Sequence, residues 1–269
     1  GQSMKLSISN IGWDAKQDEA VYRLMGAYGF SGLEIAPTRI FPEAPYSQRE
    51  AAKRWSENLK AQYGFGVSSM QSIWYGRQEK LFGNEEERQV LLAYTKEAID
   101  FAAAVGCGNL VFGCPRNRNV PEGIRPEQVE EIACGFFHEL GEYAYSKGTA
   151  LSIEANPPIY HTNYINDTRD ALDLVEKVGS RGFLLNLDVG TMVACGETPA
   201  VLEGRAHLVR HVHISEPGLS PLQKRPLHGQ LLAFLGQQGY SRFVSVEMGK
   251  QSQLEKIEDT LHYVWGLLD

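Results

Sequence analysis

ALSIEAN at 150–156, FLLNLDVG at 183–190, VRHVHISE at 209–216 and FVSVEM at 243–248 are four short apolar runs, each closing on a metal-grade side chain. Those side chains are Glu154, Asp188, His213 and Glu247. Successive strand residues point to opposite faces, so Ser152 shares a face with Glu154, and Asn186 with Asp188. His211 pairs with His213 and Ser245 with Glu247 in the same way, while the intervening positions are Ile, Leu and Val. None of the four ends reads as the start of a helix. The four residues lie 25 to 34 positions apart, too far for a local motif. They form one site only if the fold gathers the strand ends, as a parallel barrel does on its C-terminal face.

Outward from these runs the chain alternates short apolar segments with longer amphipathic ones, the rhythm of repeated βα units. Strands are expected at 5–9, 32–35, 66–71, 109–113, 150–154, 183–188, 209–215 and 243–247. Helices are expected at 18–28, 48–62, 85–104, 126–147, 168–178, 199–202, 228–238 and 253–268. In the first helix Val21, Leu24, Met25 and Tyr28 fall on one stripe. Gly29, Gly64, Gly106, Gly148, Gly179 and Gly239 follow helices, where a left-handed cap is needed. Eight units without a G-x-G-x-x-G after the first strand favour a closed α/β barrel, a single-domain (β/α)8 TIM barrel, over an open doubly wound sheet. The long segments 37–47, 75–84, 114–126, 155–166 and 216–227 all follow strands and belong to the mouth of such a barrel.

A chain of 269 residues, 43 % hydrophobic, suits one barrel of this kind, which typically runs to about 250 residues. Residues 1–3, GQS, read as a cloning remnant ahead of a domain at 4–269. No run of about 18 apolar residues is present, so a membrane span is not expected. The net charge of -7 argues against a broad contact with nucleic-acid phosphates. Four scattered cysteines and no leader point to reduced thiols and a cytoplasmic protein.

Acids aimed into a barrel mouth need a cation or hydrogen-bond donors, because a buried unpaired carboxylate costs several kcal/mol. Three carboxylates and one imidazole suit one divalent metal ion: Mn2+, Mg2+ or Co2+, with Zn2+ also compatible. Such an ion polarises carbonyl and hydroxyl oxygens while a carboxylate carries a proton between neighbouring carbons.

GFSGLEIAP (29–37), SIEANPP (152–158), LDVGT (187–191), HVHISEPG (211–218) and GYSRFVSVEM (239–248) resemble the xylose-isomerase-like TIM barrel superfamily of sugar phosphate isomerases and epimerases. The resemblance runs from the first strand to the last helix. Its ketose 3-epimerase, hydroxypyruvate isomerase and inosose dehydratase-like branches imply Glu154, Asp188, His213 and Glu247 as metal ligands. They also imply Glu154 and Glu247 as the acid/base pair on opposite faces of a substrate, and a homodimer or homotetramer. Thr191 stands where many relatives carry a histidine, and Leu219 where ketose epimerases carry an arginine. Polar contact with the substrate is then expected from Lys224, Arg225 or His228.

Several further residues have two readings. Glu34 closes the second strand, where it binds a substrate hydroxyl or fixes a metal ligand from behind. His211, deeper in the barrel than His213, reads as a hydrogen-bonded core histidine. Arg116 and Arg118 offer planar forks to a phosphate or carboxylate, or are surface arginines. Asn156 is a hydroxyl ligand or an Asx turn before Pro157. Trp13, Trp74 and Tyr75 are sugar-facing pocket walls or rim packing. His228 is a substrate contact or a surface residue at a helix start. Glu85 to Glu87 read as a solvated first helical turn.

The chemistry expected is that of a metal-dependent isomerase or epimerase acting on a small sugar or hydroxy-carbonyl compound through a metal-bound cis-enediolate. Loss of a β-hydroxyl from the same species makes an inosose-dehydratase-like lyase the alternative, and a sugar-binding barrel the non-enzymatic one. Endonuclease-like DNA repair, also found in the superfamily, is disfavoured. GLEIAP, SSMQSIW and LDVGT lack the extra histidines it needs.

Overall fold

The computed structural model describes residues 3–268; of the leading residues read as a cloning remnant, Gly1 and Gln2 lie outside them. Eight parallel strands close into one barrel in chain order. They are β1 (Lys5–Ser9), β2 (Phe30–Ile35), β3 (Gly66–Met70), β4 (Leu110–Phe112), β5 (Leu151–Glu154), β6 (Phe183–Asp188), β7 (Val209–Ile214) and β8 (Phe243–Val246). Each lies within two residues of its expected position.

The helices among the described residues are α1 (Asp18–Ala27), α2 (Pro37–Ile40), α3 (Arg49–Tyr63), α4 (Glu85–Ala104), α5 (Pro126–Ser146), α6 (Thr168–Val178), α7 (Val189–Cys195), α8 (Pro226–Gln237) and α9 (Leu254–Gly266). None is long and apolar enough to cross a membrane. α4 starts on a capping box, with Asn84 Oδ1 accepting from the Glu87 amide at 2.8 Å and Glu87 Oε1 accepting from the Asn84 amide at 3.3 Å. The glutamates of its first turn therefore serve the helix end, as their solvated reading required. All six glycines expected at helix ends have positive φ, between 66° and 85°. The four cysteines are unpaired.

Two expectations fail. Residues 199–202 form a 3-10 turn rather than an α-helix, and a helix begins directly at the end of β6. Asp188 is its N-cap: its Oδ2 accepts from the Thr191 amide at 2.9 Å. Close packing there requires a bare backbone at Gly190, where a Cβ would sit 3.0 Å from Ser215 Oγ and 3.2 Å from Asp188 Oδ2.

The hydrophobic core is the shell between barrel and helices, filled by outward residues such as Ile8, Leu33, Phe112, Ile153, Leu187 and Val246, all at most 1 % exposed. The lumen differs from the branched aliphatic filling usual in such barrels. Ser7 Oγ lies 2.5 Å from Ser68 Oγ, and Ser245 donates to Ser7 at 3.1 Å. Asn109 donates to Ser69 at 2.9 Å and accepts from Ser152 at 2.6 Å. Small hydroxyls and amides satisfy one another here, so polar groups are buried without being orphaned. That lining carries the strand ends up to the mouth.

Candidate metal centre

Register explains why the four strand ends meet. Glu154 is level with Asn186, Asp188 with His213, and His213 with Ser245, one step below Glu247. One ligand atom each from Glu154, Asp188, His213 and Glu247 lies within 4.8 Å of all the others. That is the span of oxygen and nitrogen atoms each about 2.0–2.6 Å from a shared divalent ion. His213 Nδ1 is 3.1 Å from Glu154 Oε2, 3.5 Å from Glu247 Oε1 and 3.9 Å from Asp188 Oδ1. The imidazole is sealed, whereas the carboxylates of Glu154, Asp188 and Glu247 keep 12 %, 9 % and 11 % of their side-chain exposure. The cluster is thus closed from below and reached from the mouth.

Each of the four is held from behind. Glu34, fully buried, takes His213 Nε2 on Oε2 at 2.8 Å and His211 Nε2 on Oε1 at 3.1 Å. A carboxylate at Nε2 fixes a proton there, so that the neutral ring turns its Nδ1 lone pair toward the other three acids. Asp188 has Ser215 on Oδ1 at 2.6 Å and the Thr191 amide on Oδ2, while the Thr191 hydroxyl reaches the Ala155 carbonyl at 2.7 Å. Glu154 accepts from Asn156 on Oε1 at 3.0 Å and from Asn186 on Oε2 at 2.8 Å. Gln71 donates to Glu247 Oε2 at 2.9 Å, and Ser9 donates in turn to Gln71 Oε1.

Electrostatics marks the cluster as short of positive charge. Burial pushes the Asp188 carboxyl up to about 6, with the Glu154 charge adding to it. Glu247 is driven well above the ordinary carboxylate range by burial and, against the pull of His213, by Glu154 and Asp188. Burial opposes a charge on His213, but Glu247 and Glu34 outweigh it and raise the imidazole well above its ordinary value. Glu34 moves the other way: burial is outweighed by His213 and His211, which hold it well below. A cluster that must take up protons to balance its own acids accommodates a divalent cation in their place. The donor set, three carboxylates and one imidazole with no thiolate, fits an oxygen-preferring ion.

The remaining sequence candidates fall elsewhere. Glu34 contacts both histidines of β7. His211 is a buried, bonded core histidine. Asn156 bonds to Glu154 rather than closing an Asx turn. Arg116 is exposed, with only its backbone carbonyl engaged, by Lys80. Arg118 is neither a surface residue nor an anion partner: fully buried, it donates to the carbonyls of Gly113, Glu154 and Ile165 at 2.8, 2.9 and 2.8 Å. Burial draws its guanidinium down to about 10.

Trp13 and Trp74 are sealed in the core and donate to Asp18 and Thr95, so neither presents a face to a ligand; Tyr75 projects from the rim at 70 % exposure. His228 is a buried residue of α8, bonded through Nδ1 to Tyr263 at 2.6 Å, not an exposed one at its start. Arg225 is committed to buried Glu216 at 2.6 Å, and Lys224 lies over the Tyr263 ring.

Gln71, Asn186 and Ser215 were not singled out in the sequence, although parity already placed Asn186 and Asp188 on one face. Tyr160 was missed as well. It is half-buried in the β5–α6 loop, accepts the Gly218 amide at 2.8 Å, and feels the charges of Asp188, Glu154 and Glu247. Nothing periodic marks it in the sequence.

Residues 23–264 match the family model for the xylose isomerase-like TIM barrel, and the chain belongs to that family. No curated protein sequence matches it. Among solved structures it is similar to 3-keto-D-glucoside 4-epimerase, YcjR, from E. coli. That match has a TM-score of 0.75 at 18 % identity, over 97 % of this chain and 99 % of that one. D-psicose 3-epimerase from Clostridium cellulolyticum H10 gives 0.74 at 15 % identity, over 99 % and 97 %. AP endonuclease, family 2, from Brucella melitensis gives 0.76 at 18 %, over 99 % and 100 %. At such identities the likeness is one of fold.

Proposed function

We propose that this protein is a divalent-metal-dependent isomerase or epimerase of a small sugar or hydroxy-carbonyl compound. The observation that carries the reading is the convergence of Glu154, Asp188, His213 and Glu247 within 4.8 Å at the open end of the barrel. These four residues would hold the ion, which when bound supplies Lewis-acid polarisation of a substrate carbonyl. Asp188, tied to Ser215 and to the first turn of α7 as its N-cap, acts as a fixed holder. Glu154 and Glu247 flank it from β5 and β8 and are the proton carriers. One removes a proton from the carbon beside the carbonyl, and the same or the opposite carboxylate returns it. Asn156 and Asn186 each donate to one oxygen of Glu154, and Gln71 donates to Oε2 of Glu247, fixing the orientation of both carriers.

The epimerase structures with the same fold favour a sugar substrate. The test is incubation of the Mn2+-loaded protein with ketoses, inososes and hydroxy acids in D2O. Deuterium at a carbon adjacent to a carbonyl, lost on Glu154→Gln or Glu247→Gln, is the expected result; loss of water from the substrate would select a lyase instead. Absence of metal binding, with both variants as active as the parent, would sink the proposal.

A further inference from the structure

The opposite end of the barrel also carries an unusual group. Arg210, the second residue of β7, and Arg242, just before β8, reach across the barrel floor to Gly108, which precedes β4. A Cβ at Gly108 would lie 2.9 Å from Arg242 Nη2 and 3.6 Å from Arg210 Nη2, so both guanidinium groups press on the same bare backbone. Arg210 directs Nε and Nη2 to the Gly108 carbonyl at 3.0 and 2.8 Å. Among the described residues neither arginine forms an ion pair. Both are only half-buried, so an anion reaches them from solvent.

The surroundings reinforce this. Lys5 begins β1, which pairs with β8, and its ammonium lies 5.2 Å from the Phe243 ring centre. The segments leading directly into the strands, 28–29, 64–65, 105–109, 147–150, 179–182, 206–208 and 238–242, contain no aspartate or glutamate. In a chain of net charge -7 the residues directly before these strands are thus free of acids, with Glu203 further back in the connection to β7. Burial, and then the Arg242 charge, draw Arg210 down to about 10, as expected of like charges held together. Helix C-termini point to this face and offset single cations, but they offer the Arg242 fork no acceptor.

We propose that Arg210 and Arg242, with Lys5 at the rim, form an oxyanion site on the N-terminal face that takes the phosphate or carboxylate group of a small molecule. The free fork of Arg242 and the remaining Nη1 edge of Arg210, whose Nε and Nη2 are held by Gly108, offer charged donors from neighbouring strands to the paired oxygens of either group. The site is independent of the metal centre, at the other end of the lumen. The test is calorimetric titration of the full chain, stripped of metal with EDTA, with inorganic phosphate and separately with malonate, in chloride buffer of constant ionic strength.

Saturable 1:1 binding is expected, and the tighter of the two anions identifies the ligand class. Arg242→Gln, whose native side chain holds no other part of the protein, is expected to weaken binding about tenfold or more. Arg210→Gln is expected to do the same, with thermal melts showing both variants folded. Glu154→Gln, at the mouth, is expected to bind as the parent does. No saturable binding of either anion overturns the proposal, as does binding that survives Arg242→Gln or is lost in Glu154→Gln.

Discussion

Replacing Glu34 by glutamine tests the arrangement beneath the candidate metal centre. In the native protein both carboxylate oxygens accept, from His213 Nε2 at 2.8 Å and His211 Nε2 at 3.1 Å, and no water competes at a fully buried site. A glutamine offers one acceptor and one donor. If its amide nitrogen faces His213, that ring must accept at Nε2 and carry its proton on Nδ1, the atom aimed at Glu154, Asp188 and Glu247. If its oxygen faces His213, the donor confronts the Nε2–H of His211, and the brace on His213 loses its charge. Either outcome weakens Nδ1 as a ligand. Loss of such outer partners costs about 10- to 100-fold in metal affinity, or about 1.4–2.7 kcal/mol. Titration of Mn2+ into EDTA-treated Glu34→Gln and parent protein reads the ratio directly, with circular dichroism showing both folded. His211→Gln, which leaves Glu34 on His213, is expected to cost less. Affinity of Glu34→Gln within twofold of the parent would refute the bracing role.

Other outcomes follow from the same geometry. Asp188 and Glu247 have raised values in the metal-free fold, so between about pH 4 and pH 6 the folded chain holds more protons than the unfolded one, and stability falls as pH rises. The imidazolium of His213 acts in the same sense, its contribution being lost as pH climbs through its raised value. Thermal melts of metal-free protein are therefore expected to decline from about pH 5 toward neutrality, and the Mn2+-induced rise in melting temperature to grow over the same range. A metal-independent, flat profile would contradict both. Arg118→Met strips a donor from the carbonyls of Gly113, Glu154 and Ile165, of which Ile165 keeps the Asn156 amide, and is expected to cost at least about 2 kcal/mol in urea unfolding, since each abandoned acceptor costs about 1–3 kcal/mol. Ser215→Ala removes one donor from Asp188 and the acceptor of the buried Gly190 amide, and is expected to cost about 1–3 kcal/mol of stability while leaving the four-residue cluster assembled.

The barrel was legible in the sequence because its signals are local and repeated. Alternation on β6, the apolar stripe of α1 and glycine after α3 each depend on neighbours a few residues away. α7 was not legible. Seven residues, VGTMVAC, are too few to display a helical period, and their start is capped by a residue already read for its carboxylate. The four clustered residues could be named from their places at strand ends, and Glu34 as a candidate brace, but the other supports could not. Gln71 meets Glu247 across 176 positions and Glu34 meets His213 across 179, distances over which sequence carries no pattern. Trp13 and His228 show the converse: residue types common in binding pockets are sealed in the core here, each bonded to one partner, Asp18 and Tyr263.

The supports also divide labour within the barrel. The four clustered side chains stand on or next to the consecutive strands β5 to β8, whereas Glu34 and Gln71 reach over from β2 and β3 as struts spanning the lumen. β3 joins β4 at a single register position, Met70 with Leu110, which makes that junction the seam of the cylinder. Opening there would leave the four clustered residues on contiguous strands but pull the struts away from them. Roundness of the barrel and grip on an ion are then one quantity read at two places. An ion seated at the mouth would close the seam like a keystone, and the amides of β3 and β4 would exchange more slowly for its presence.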